Sequence, residues 1–307
     1  MRKETKAGLI FAAGVTVMPI VAVQQTGAAD APKMHVMYEK TVTGFAFPES
    51  CAYDPAAKVL YVGNFGGAKL DTVAKDGNGR IAKVALDGTI IESRFLPDVG
   101  DVLNKPKGIW VKGSRLWVTD IDSVWEFDLK SRAGRKLPIP GITFANDPTV
   151  KGNALYVGDN RADLLFKIEP ADFMNAKNPK ITKVLSGKDI YPNGLYPGND
   201  GSLLIAGFKS DKEPRGIYAL NAKGEVKQLL KNTGRLDGLY QMKDGTILAT
   251  NWDNGSLFSW TEKDGVQILA SDFKGPADLC VVPEKNGLLV VVPDLVKSEL
   301  RMVKLVK

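Results

Sequence analysis

Residues 192–208 read PNGLYPGNDGSLLIAGF: a Pro-Asn-Gly-Leu opening, a turn at Asn199-Asp200-Gly201, and an apolar run up to Phe208. Two short apolar segments joined through Asp-Gly describe a hairpin, because the pattern has period two rather than 3.6. The phrase recurs along the chain. Its other openings are Pro48-Glu49-Ser50-Cys51, Pro106-Lys107-Gly108-Ile109, Ala145-Asn146-Asp147-Pro148, Leu236-Asp237-Gly238-Leu239 and Pro276-Ala277-Asp278-Leu279. An apolar strand ending in Asp or Asn follows each, as at Val59–Asn64, Arg115–Asp120, Ala154–Asp159, 246–251 and Gly287–Asp294. The second opening position falls at 49, 107, 146, 193, 237 and 277, at intervals of 58, 39, 47, 44 and 40 residues. Such spacing is that of four-stranded propeller blades. The reading is all-β: one six-bladed β-propeller over residues 35–307. An open last blade leaves an unpaired edge, so residues 35–43 are expected to join the C-terminal strand Glu299–Val306 and close the ring. The long first interval is assigned to an insertion at 66–79. A helical turn is expected at 169–176, with Pro170 in its first position.

Composition narrows the function. The chain has 307 residues, 44% hydrophobic and 25% charged, with 31 glycines, two cysteines and one histidine. Disorder and a disulfide-rich scaffold are excluded. A Cys/His zinc site is excluded too, as is a His-dependent triad unless His35, read as a surface residue, supplies it. Arg2, Lys3 and Lys6, the apolar run 7–23 and the small residues Thr26 to Ala29 have the layout of a signal peptide over 1–29. Export is expected, to a periplasm or the exterior, with no stable membrane insertion after cleavage. Removing Arg2, Lys3, Lys6 and Glu4, a net +2, from the formal +6 leaves about +4 without a basic stripe, which argues against nucleic acid as a partner. Cys51 and Cys280 lie two and three residues past the ring position of their blades. Counted by alternation they face opposite ways, so two buried free thiols are expected.

Equivalent inner-strand positions in a propeller converge on the central channel. Here they are Glu49, Lys107, Asn146, Asn193, Asp237 and Ala277. Two carboxylates and two amides are hard oxygen donors of the kind that hold a divalent cation. Taken singly, Asn193-Gly194 and Asp237-Gly238 are also ordinary turn residues. Their coincidence at one register is what points to a shared site. Asp120, Asp159, Asn251 and Asp294, ending second strands, are expected to form hydrogen bonds at blade corners. Most tryptophans fall on strands and are read as packing residues, with Trp252 a candidate for a ligand wall.

At these residues the chain resembles the regucalcin–gluconolactonase family, from about Phe47 to the C-terminus, and more distantly the paraoxonases and the diisopropyl-fluorophosphatase type. The resemblance implies a six-bladed propeller that hydrolyses lactones with a channel metal. It also implies Glu49, Asn146, Asn193 and Asp237 as metal ligands, with Asp237 catalytic as well. Calcium is expected first, with manganese or zinc as alternatives. The chain departs from the family pattern twice. Sugar-lactone members carry arginine two residues before the equivalent of Asn146, where this chain has Phe144, so a more apolar small molecule is expected. Lys107 occupies the ring position of blade 2, where its ammonium either turns away, pairs with Glu49 in place of a metal, or binds a substrate anion. The leading reading is a metal-dependent hydrolase of lactone-like esters or phosphotriesters, with Lys107, Phe144 and Trp252 contacting substrate. The alternative is a non-catalytic propeller that binds a ligand or a protein, with Lys107 replacing the metal. A strictosidine-synthase-like propeller would need a catalytic glutamate in a late blade, where Ala277 and Asp278 provide none.

Overall fold

The computed structural model describes residues 34–306; the expected signal segment lies outside them. Twenty-four strands form six four-stranded antiparallel sheets, and the described residues contain no helix. Each blade runs outward from its inner strand: Pro48–Asp54, Pro106–Lys112, Ala145–Lys151, Pro192–Pro197, Leu236–Gln241 and Cys280–Glu284. Each inner strand packs on that of the next blade, and blade 6 meets blade 1. The molecule is a six-bladed β-propeller. The outermost strand of blade 6 is His35–Val42, which pairs antiparallel with Glu299–Val306, so the N-terminal strand closes the ring as expected.

The core lies between blades. Alternate apolar side chains of facing sheets interdigitate, as Leu60 and Val62 of blade 1 do with Val291 and Met302 of blade 6. Around the channel, polar ties join neighbours. The Ser50 hydroxyl bonds the Lys107 carbonyl, and Thr119 bonds that of Asn146. Asp147 accepts from the Leu195 amide at 2.6 Å, Thr250 donates to the Ala277 carbonyl at 3.0 Å, and the Asp278 amide donates to the Glu49 carbonyl at 3.0 Å. Inner strands approach so closely that a Cβ on Gly194 would lie 1.9 Å from the Asp237 carbonyl oxygen. Glycine is therefore required at that point of the repeat.

Blade corners are built as the sequence suggested. Asp120 accepts the amides of Asn104 and Lys105, Asp159 those of Thr143 and Phe144, and Asp294 those of Lys274 and Gly275. Asn251 donates to the Thr233 carbonyl. Each corner fixes the chain just before it enters an inner strand.

Two expectations are corrected. Cys51 and Cys280 form a disulfide across the blade 1–blade 6 seam, with Cα atoms 5.4 Å apart. The two do face opposite sides of their own sheets, but neighbouring blades meet through opposite faces: Cys51 packs with Leu60 and Val62 towards blade 6, and Cys280 with Leu289 and Val291 towards blade 1. The helical turn at 169–176 does not form. The Arg135 guanidinium takes the carbonyls of Phe173 and Ala176, each at 2.5 Å, Glu126 accepts the Phe173 amide at 2.7 Å, and the Phe173 ring is buried in the core. Backbone groups a helix would use are thus engaged by side chains.

Candidate functional site

In five blades the ring residue sits in a break of strand pairing. Partners shift between Pro48 and Ser50, Pro106 and Ile109, Ala145 and Pro148, Pro192 and Leu195, and Leu236 and Leu239. Glu49, Lys107, Asn146, Asn193 and Asp237 are left out of the ladder, the last four together with the residue that follows each. A bulge re-aims a side chain, and here it does so at one level of the channel in every one of these blades. Sequence reasoning found the positions but not this device.

All five are buried, Lys107 completely. Trp252 Nε1 donates to Asp237 Oδ2 at 2.9 Å, and the Asn193 amide also hydrogen-bonds Asp237. Asn146 Nδ2 donates to Asn160 Oδ1 at 3.2 Å. With their nitrogens so engaged, the amides have oxygens to offer. Asn193 Oδ1 and Glu49 Oε2 are buried without any partner. Burial pushes the Glu49 carboxyl well above its usual range, reinforced by Asp237 and Asp278 and opposed by Lys107. Burial likewise pushes Asp237 up to about 7 against the hydrogen bonds from Trp252 and Asn193. Asp147 and Asp278, each one residue past the ring position of blades 3 and 6, are also buried and raised, chiefly by desolvation.

Lys107 is the cation at this level, and its charge is spent largely on rings. Its Nζ lies 4.1 Å from the Phe144 centroid and 5.8 Å from that of Phe65, and donates to the Lys105 carbonyl at 3.4 Å. Glu49 acts on it as a nearby charge and opposes the burial that lowers its pKa to about 8. Arg161 lies 3.7 Å from the same Phe144 ring and reaches Thr72 in the 66–79 insertion. The insertion also anchors through Asp76 to Lys105 and through Lys75 to Asp122. Phe65, Ala277 and Leu295 form an apolar cluster with Phe47 and Trp252, and Trp252 meets Phe208 edge-on at 5.7 Å. The wall beside Asp237 is therefore aromatic.

Among the described residues no three His, Cys, Asp or Glu side chains are grouped to chelate a metal by themselves. The fit rests on the mixed set. Two orphaned oxygens and two further oxygen donors are a set of the kind a hard divalent cation takes.

At the other end of the same strands a cavity of about 330 Å³ opens, lined by Tyr53, Trp110, Tyr196, Tyr240, Asp147 and Asp278 among others. Sequence reading did not identify it, although Trp110, Tyr196 and Tyr240 stand three residues past the ring position in blades 2, 4 and 5.

Comparison with solved structures returns the same architecture. A candidate gluconolactonase superposes with a TM-score of 0.64 at 14% identity, covering 89% of this chain and 94% of that one. A streptogramin B lyase gives 0.56 at 15%, covering 87% and 97%. Virginiamycin B lyase from Staphylococcus aureus, in complex with quinupristin, gives 0.56 at 14%, covering 90% and 100%. The fold is shared at low identity. No protein-family model and no curated protein matches the chain.

Proposed function

We propose that the protein is a divalent-cation-dependent hydrolase of lactone-like esters, with its centre at the Glu49–Asn146–Asn193–Asp237 level of the channel. The observation that carries this reading is the pair of orphaned oxygens, Glu49 Oε2 and Asn193 Oδ1, in strand breaks that converge on one axis. Those four residues would hold the cation, calcium first, with manganese or zinc as alternatives. A bound divalent cation supplies Lewis-acid polarisation of an ester carbonyl. Asp237, oriented by the Trp252 indole, accepts the proton of the attacking water or itself attacks the carbonyl carbon. Phe208 and Trp252 exclude water and favour an apolar substrate body over a polyol. Phe144 stands where sugar-lactone enzymes of the resembled family carry arginine, and its ring is engaged by Lys107 and Arg161, consistent with that preference. Structural likeness to a candidate gluconolactonase and to lyases is in keeping with small-molecule chemistry on this scaffold.

The second reading, a metal-free binding propeller, draws on Lys107 as a resident cation beside Glu49. Elemental analysis of the purified protein, with thermal melts in calcium and in chelator, separates the two. One equivalent of metal and a lower melting point in chelator support hydrolysis, and Asp237→Asn should then reduce turnover of an aryl lactone by roughly 10²–10⁴-fold with the fold retained. Absence of metal, with no shift on adding calcium, sinks the hydrolase reading.

A further inference from the structure

The cavity at the opposite mouth has a chemistry of its own. Its wall carries Trp110, Tyr196, Tyr240 and Tyr53, with Trp110 and Tyr196 centroids 5.9 Å apart and Tyr196 and Tyr240 5.0 Å apart. Interplanar angles of 64° and 56° set neighbouring rings edge-on or tilted rather than stacked, so ring faces as well as edges line the cavity. Asp147 and Asp278 also line it, 4% and 8% exposed, and no lysine or arginine does. Two buried polar atoms there lack partners: Asp147 Oδ1, an acceptor, and Trp110 Nε1, a donor.

We infer that this mouth is a second binding site, selective for a small organic cation, a quaternary or protonated amine that also bears a hydrogen-bond acceptor. Ring faces present negative charge to a cation, and the cavity is lined by several of them. Trp110 Nε1 would donate to the acceptor on the ligand, and Asp147 Oδ1 would supply a further polar contact. At about 330 Å³ the cavity suits a compact ligand of choline size. None of the ring-level residues lines it, so the inference is independent of the hydrolase reading.

The test is calorimetric titration of the full chain with choline and with 3,3-dimethylbutan-1-ol, its neutral isostere. Both are run in chelator, so that the fate of the metal site has no bearing. Choline should bind at least about ten-fold more tightly than the alcohol. Tyr240→Leu should weaken choline by a similar factor and Tyr240→Phe, which keeps the ring, should restore it. Equal affinity for both compounds, choline binding indifferent to Tyr240→Leu, or no heat with choline up to roughly 10 mM would each overturn the assignment.

Discussion

A carboxyl buried away from water is protonated, paired or bound to a cation. Glu49, Asp147, Asp237 and Asp278 all have their pKa values raised by burial, and Lys107 is the cation that opposes this at Glu49. Lys107 is also the residue that a divalent ion would meet as a like charge. Its removal should therefore help the metal. Lys107→Met keeps the unbranched stem against Phe144 and deletes the charge. By calorimetric titration it should bind calcium on the order of ten-fold more tightly than the parent, the effect of one partly screened unit charge at short range. Unchanged affinity would mean that Lys107 does not face the ion. Loss of calcium binding in this variant would mean that the ammonium organises the site instead of opposing it.

At the scale of elements, the repeat was legible because the blades write a like opening, and five of the six end the second strand in Asp or Asn. Glu49, Asn146, Asn193 and Asp237 are readable from that alignment, and the same register three residues further along holds Trp110, Tyr196 and Tyr240. What could not be read was the slip of pairing within each opening. It depends on the partner strand and is not written in either segment alone. Cys51 and Cys280 meet because adjacent blades turn opposite faces to each other, which counting within one strand does not show. The segment after Glu169 was unreadable for a related reason: Arg135 and Glu126, distant in sequence, claim its backbone. That tie yields a pH prediction. Burial, together with the hydrogen bond and charge of Asp172, raises Glu126 to about 7, above its ordinary 4.5. An acid whose folded pKa is raised makes folding costlier above that value, and the penalty is relieved as pH falls from about 7 towards 4.5. Glu126→Gln keeps an oxygen for the Phe173 amide without the charge. It should melt roughly 2–4 °C higher than the parent at pH 8 and within error of it at pH 5. An equal shift at both pH values would show that Glu126 does not titrate in this range.

The whole ring is closed twice, at two radii. Near the axis the Cys51–Cys280 disulfide joins residues 229 apart in sequence across the first and last blades. At the rim, His35–Val42 completes blade 6. These closures act differently. The disulfide restricts the unfolded chain, so its loss lowers stability without changing the folded surface. Cys51→Ala/Cys280→Ala should remain a folded propeller but lose about 3–5 kcal/mol, or on the order of 10 °C in melting temperature. The rim strand covers the hydrogen-bonding edge of Glu299–Val306. Removing residues 1–42 leaves the disulfide in place but bares that edge, a template for pairing with another chain. Gel filtration with light scattering should therefore find the cysteine variant no more associated than the parent and the truncated chain self-associating. A truncated chain that neither associates nor melts lower than the parent would show that the rim strand does not hold the ring shut, leaving closure to the disulfide and the inter-blade core.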